Sequence, residues 1–196
     1  MGNTTGSANT AVGATALHDN TTGYYLNAFG QAALYANTTG NTNIAIGDLS
    51  LRLNTGGSYN IAMGRQSLYS NTTGNYNVAI GYQSAYTNTG SVNTAIGWYS
   101  LRSNTTGTYN VAIGGGEQSV TYAALQQNTI GSENTAIGVG ALGQNTSGSQ
   151  NVAIGTKALL SNTVGRYSTA VGHNAGYSNT SGGVTAFGGL ALYSNT

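Results

Sequence analysis

The sequence predicts an all-β fold, a parallel β-solenoid or β-roll of eleven coils of about 17 residues in one domain spanning residues 1–196. The first observation is the tripeptide Ala-apolar-Gly, whose glycine recurs every 16 or 17 residues with one step of 24. The second is composition: 31 of the 196 residues are glycine, which opposes helix. We number each coil from this glycine as position 0, which is Gly13, Gly30, Gly47, Gly64, Gly81, Gly97, Gly114, Gly138, Gly155, Gly172 and Gly188.

The residues before position 0 predict a short strand, because β-branched residues alternate there as in Asn-Val-Ala-Ile-Gly. Alternation places position −2, always alanine, on one side and positions −3 and −1 on the other. We expect the alanine in a thin interior and the larger −1 residue outside the coil. The outward residues are then candidates for a threefold axis: Val12, Phe29, Ile46, Met63, Ile80, Ile96, Ile113, Ile137, Ile154, Val171 and Phe187. The opposite assignment, with large residues inside the coil, predicts a monomeric rod.

The rest of each coil predicts a second strand and two turns. Ala or Ser at +3 and the usual Leu at +4 suggest a second short strand or extended piece. Asn-Thr-Thr-Gly is turn chemistry, in which Asn folds onto its own backbone and Gly accepts positive φ. Stacking at ~4.8 Å per coil gives a rod of ~50 Å.

The repeat resembles the head repeat of trimeric autotransporter adhesins. The resemblance is carried by the pattern Asn-Val-Ala-Ile-Gly-x-x-Ala/Ser, as in Asn77–Ser84 and Asn151–Ala158. Similar repeats occur in phage tail-fibre proteins. The resemblance implies a left-handed β-roll, a homotrimer, and an extracellular fibre on a cell surface or virion that binds an unknown receptor or glycan. The turn here is about three residues longer than in those heads. Because the chain starts and stops inside the repeat, we expect a section of a longer fibre or end-to-end filaments.

Two polar ladders repeat at +7 and +8. We interpret them as structural, with stacked Asn side chains bonded from coil to coil; an array of ligand-binding amides is the alternative for Asn. Glycosylation at the Asn-Thr-Thr sequons is a minor alternative. A regular Thr row also raises an ice-binding monomeric solenoid as an alternative function. The predicted ladder residues are Asn20, Asn37, Asn54, Asn71, Asn88, Asn104, Asn128, Asn145, Asn162, Asn179, Thr21, Thr38, Thr55 and Thr72.

Aromatic residues and one insertion are candidates for surface contacts. The 14 tyrosines cluster at −5 and +5, which suits a carbohydrate face or packing between rods. The seven residues 115–121 are extra relative to the repeat and predict a loop or a bulge. The contact candidates are Tyr59, Tyr76, Tyr109, Trp98, Glu117 and Tyr122.

Charge and chemistry argue against several classes of protein. The net charge of +1 offers no footprint for nucleic acid. No apolar run approaches the ~20 residues of a membrane helix, so we expect no insertion by this segment. Cysteine is absent, and Asp19, Asp48, Glu117 and Glu133 share no repeat position. We therefore expect no enzyme activity, no metal and no cofactor.

Overall fold

The computed structural model describes residues 4–116 and 121–195 and has the predicted parallel β-solenoid fold. One sheet holds eleven three-residue strands, and their order in the sheet is their order in the chain. The strands are β1 (Thr10–Val12), β2 (Asn27–Phe29), β3 (Ile44–Ile46), β4 (Ile61–Met63), β5 (Val78–Ile80), β6 (Thr94–Ile96), β7 (Val111–Ile113), β8 (Thr135–Ile137), β9 (Val152–Ile154), β10 (Thr169–Val171) and β11 (Thr185–Phe187).

Every strand pair is in the same register, so equal positions of the repeat stack on each other. Ala28 pairs with Ala45, and Phe29 pairs with Ile46. The glycine that ends each strand is required at this point. Gly30 has φ +137°, and a Cβ there would lie 2.5 Å from the carbonyl oxygen of Gly47 in the next coil. No residue with a side chain satisfies both conditions.

The interior of each coil is a thin layer of alanine, serine and leucine. Ala28 at −2 is fully buried, and so are Ala33 at +3 and Leu34 at +4. The prediction of small interior residues at −2 and +3, with −1 outside, is confirmed. Burial of two consecutive residues is incompatible with strand alternation, which would send one of them outward.

The predicted second strand at +3 and +4 is therefore wrong. This segment is a run of turns in which φ changes sign from residue to residue. Ala32 at +2 has φ +52° and Leu34 at +4 has φ +50°, whereas Ala33 between them does not have positive φ. Coil-to-coil hydrogen bonds continue nevertheless, since the N–H of Leu34 donates to Ser50 at 3.0 Å.

The turn glycine also differs from expectation. Gly57, at the end of an Asn-Thr-Gly-Gly turn, does not have positive φ; the left-handed residue near this corner is Tyr59 at −5, with φ +60°. A Cβ on Gly57 would lie 2.5 Å from Asn54 Oδ1 and from the Gly74 carbonyl. Close approach of the next coil is thus the reason for glycine here. Among the turn glycines of the described residues, only Gly182 and Gly183, in one of two turns that are a residue shorter, have positive φ.

Candidate functional site

The strands present a continuous apolar face to the outside of the coil. We call it the apolar face and define it as position −1 of β1 to β11, with Ile, Val, Thr or Asn at position −3 beside it. Ile46 and Ile80 are 39% and 37% exposed, and Val12 and Phe187 at the two ends are more so. Ile96, Ile113 and Val171 are half-buried. No position of this face carries a charged residue. A large exposed apolar face without charges is typical of a protein interface.

A row of aromatic residues at −5 borders the apolar face. Tyr59 and Tyr76 stack with ring centroids 5.0 Å apart and an interplanar angle of 7°. Tyr109 lies in the same row and is exposed. Where Thr42 replaces a ring, an open groove forms between Tyr25 and Tyr59, with side chains from position −3 beside it.

The Asn ladder at +7 is buried and internally bonded. Asn37 donates from Nδ2 to Asn20 Oδ1 at 2.8 Å and to the Gly40 carbonyl at 3.0 Å. Side chains engaged in this way and excluded from solvent hold the coil together and are not open to a ligand or to glycosylation. The ladder is interrupted after Asn71, whose Oδ1 has no partner. The next coil has the shortened turn that begins at Asn88.

The threonines at +8 also bond from coil to coil. Thr21 Oγ1 donates to the Thr38 carbonyl at 2.9 Å, and Thr38 Oγ1 donates to the Thr55 carbonyl at 3.0 Å. The same Thr55 oxygen accepts the backbone N–H groups of Thr38, Thr39 and Gly40 at 2.9, 3.0 and 3.3 Å. These hydroxyl groups are therefore committed to the backbone of the next coil.

A second Asn ladder at −4 was missed by the sequence reasoning, which noted the residue but not its bonding. Asn43 Oδ1 accepts the backbone N–H of Asn60 at 2.9 Å and its Nδ2 at 3.2 Å. The backbone contact repeats without a break from coil to coil. The signal was present in the sequence as Asn at −4 in seven successive coils: Asn43, Asn60, Asn77, Asn93, Asn110, Asn134 and Asn151.

The part of each coil that follows the strand, positions +1 to +5, forms the second layer of the coil. Its +5 position carries a row of stacked rings and guanidinium groups. From the sequence we predicted only the tyrosines of this row. Arg52 lies between two rings, with Cζ 5.4 Å from the Tyr35 centroid and 5.8 Å from that of Tyr69. Tyr69 and Tyr86 stack at 5.1 Å. Arg102 continues the row beyond Tyr86, at 5.5 Å. The missed signal is that Arg and Tyr share one repeat position.

The insertion leaves the sheet intact. Ala124 donates its N–H to Gly114 at 3.0 Å, the same bond that Ala33 makes to Gly30 without an insertion. Tyr122 is half-buried, and a Cβ on Gly143 would meet the Tyr122 Cβ at 2.6 Å, so Tyr122 packs over that glycine. Trp98 is exposed, with its ring edge-on to Tyr82 at 6.3 Å. Glu117 lies outside the described residues.

Titratable residues are few and scattered. Within the described ranges, two basic side chains contact a carboxylate. His18 Nδ1 lies 2.6 Å from Asp19 Oδ1, and Arg65 Nε lies 3.1 Å from Asp48 Oδ2. Residues 4–116 and 121–195 contain no group of three His, Asp or Glu side chains placed to hold a metal ion. The same ranges contain no helix long and apolar enough to cross a membrane.

Comparison of the chain with protein-family models, with curated proteins and with solved structures gives no match.

Proposed function

We propose that this chain is a structural and adhesive segment of an extracellular fibre, in which three copies pack their apolar faces around one axis. The observation that carries the proposal is the apolar face itself. It runs the length of the sheet, and most of its −1 residues are more than a third exposed in the single chain. The repeat resemblance to trimeric adhesin heads supports the number of copies and the extracellular location.

Sheet physics supports self-association. Parallel sheets are normally covered on both faces, and here only the inner face of the sheet is covered by its own coil. Covering one Ile side chain contributes ~1.5–3 kcal/mol when burial is complete. The face repeats with the coil, so a second copy has the same spacing of apolar residues and packs against it over the whole length.

The bonding between coils suits a structural role in a fibre that is under mechanical load. Successive coils are bonded through the strands, and many of them also through the Asn ladders and the Thr row, so the rod resists bending and extension along its axis. Solenoids of this type gain stability from each added neighbour contact. The low charge content, 5% of residues, also favours side-by-side and end-to-end assembly.

The mass of the assembly tests the proposal. Light scattering with negative-stain imaging is expected to give three times the chain mass of 19.8 kDa, or filaments of threefold cross-section. Ile80→Asp places a charge on the apolar face and is expected to yield monomers. Thr73→Asp, at an exposed turn residue, is the control and keeps the trimer. A monomeric or dimeric wild-type chain, or two variants that behave alike, would overturn the proposal.

The ice-binding alternative gains no support. It needs Thr hydroxyl groups free to order water, and the hydroxyl groups of Thr21 and Thr38 are donated to backbone carbonyls. It also assumes that the −1 residues lie inside the coil, whereas they lie outside.

A further inference from the structure

We propose that the fibre segment binds an acidic polysaccharide on the outer side of its second layer. The arginine–aromatic face comprises the +5 residues from Tyr35 to Arg102, the +1 residues from Asp48 to Trp98, and Tyr99. This inference rests on the proposed function in one respect: the face must be exposed on the assembled fibre.

The arginine–aromatic face points away from the proposed trimer axis. The alanine of each strand packs in the interior with the +3 and +4 residues, and Ser84 Oγ at +3 donates at 2.8 Å to the Ala95 carbonyl of the next strand. The outer sides of the two layers therefore lie on opposite sides of the coil. Copies that cover the apolar face leave the arginine–aromatic face open to solvent.

Positive charge is concentrated on this face. Three of the five Lys and Arg residues of the chain lie there, against one of the four acidic residues. Asp48 neutralises Arg65 at 3.1 Å. Arg52 and Arg102 make no ion pair with any described carboxylate. A chain that is nearly neutral overall thus carries two uncompensated guanidinium groups on one face.

Stacking orders both guanidinium groups for anion binding. Arg52 is held between Tyr35 and Tyr69 and donates to the Tyr69 hydroxyl at 3.2 Å. Arg102 is held between Tyr86 and Tyr99 and donates from Nε to Gln83 at 2.9 Å. Two rings lie within 5.8 Å of each guanidinium Cζ, and the N–H groups that these contacts leave unused are the part that binds a carboxylate. Little rotamer entropy is then lost on binding.

The spacing and the exposed aromatic residue indicate a sugar chain. Arg52 and Arg102 lie three coils apart, which is ~14 Å along the rod at ~4.8 Å per coil, so a ligand that reaches both is extended. Trp98, in the same coil as Arg102, is 57% exposed and offers a flat apolar surface to a pyranose ring. Two cations cannot match a nucleic acid, which carries one charge per ~1.7 Å of duplex. An acidic polysaccharide with a carboxylate on every second sugar has the sparser charge that fits.

Trp98 is the only tryptophan of the chain, so its fluorescence reports binding at this face. The probe is a hyaluronate octasaccharide, titrated into the intact chain with calorimetry in parallel. We expect saturable binding that shifts Trp98 emission and weakens as salt is raised. Arg52→Gln and Arg102→Gln are each expected to weaken binding about tenfold, whereas Arg166→Gln, on another part of the coil, leaves binding unchanged.

Four results would overturn this proposal: no binding, equal binding of a neutral maltooctaose, tighter binding of an eight-residue thymidine strand, or equal losses in the Arg52 and Arg166 variants. Thermal unfolding of each variant checks that it is folded. Light scattering on the same samples separates the two proposals. Trimers without sugar binding refute the polysaccharide site alone, and monomers refute the fibre assembly.

Discussion

The side-chain amide of Asn54 donates 2.8 Å to Asn37 Oδ1, one coil earlier, and 2.9 Å to the Gly57 carbonyl in its own turn. Its own Oδ1 accepts from Asn71 in the following coil at 2.9 Å. One buried side chain thus connects three coils and closes a turn. Unpaired polar groups inside a protein are costly, so this ladder stabilises the fold only where it is continuous.

Position in the ladder predicts the cost of losing an amide. Asn54→Ala removes three hydrogen bonds and leaves buried partners unsatisfied, so we expect a loss of ~2–4 kcal/mol in unfolding free energy. Asn162 occupies the same repeat position, but its Oδ1 has no partner and its Nδ2 bond to Gly165 is 3.2 Å. Asn162→Ala is therefore expected to cost clearly less. Denaturant unfolding of both variants measures the difference, and equal losses would contradict a ladder that works by continuity.

The adjacent glycines Gly56 and Gly57 provide a second matched pair. A Cβ on Gly57 would lie 2.5 Å from Asn54 Oδ1 and from the Gly74 carbonyl, whereas a Cβ on Gly56 meets only Thr39 Oγ1 at 3.4 Å. We expect Gly57→Ala to destabilise by ~3 kcal/mol or more through overpacking against backbone. Gly56→Ala is expected to be neutral or slightly stabilising. Thermal unfolding compares the two variants, and a tolerant Gly57 would refute the close approach of the coils.

Left-handed residues make a prediction of opposite sign. Thr42 is exposed and β-branched, and it has φ +54°, a conformation that costs ~1–2 kcal/mol for a residue with a Cβ. Thr42→Gly is expected to raise the unfolding free energy by ~1 kcal/mol. Thr39→Gly is the control, because Thr39 is exposed and does not have positive φ. Glycine at this position only raises the entropy of the unfolded chain, which lowers the unfolding free energy. If Thr42→Gly destabilises the protein as Thr39→Gly does, Thr42 does not have the strained left-handed conformation.

The strand half of each coil was predictable from the sequence because alternation has a clear physical signature. Alanine at −2 and a larger residue at −1 sort to opposite sides of a strand, and Ala45 and Ile46 do so. The second half was not predictable in this way. Leu51 adopts φ +49°, a conformation that leucine seldom takes and that no propensity anticipates. Stacking of successive coils holds it there, which is a tertiary cause.

Some of the candidate surfaces were predictable from the sequence and others were not. The apolar ladder and the +7 and +8 rows were visible because one residue type repeats at one position. The stack of Arg52 with Tyr35 and Tyr69 was not, because different residue types share that position and only their shared geometry joins them. Planar side chains of either kind stack at the coil spacing, so Tyr and Arg are interchangeable at +5.

The insertion supplies the last prediction. Because Ala124 makes the regular bond to Gly114 and β7 pairs with β8 in register, the sheet continues unchanged from one side of the seven extra residues 115–121 to the other. Deleting them joins Gly114 to Tyr122 and restores the repeat. We expect the deletion to change the unfolding free energy by only ~1 kcal/mol, since loop length has a small entropic cost.

The control is removal of 68–74, seven residues of a regular coil. It takes away the buried Leu68 and Asn71 and is expected to abolish folding. Thermal unfolding followed by circular dichroism compares the two deletions, and similar damage from both would show that the insertion is part of the coil.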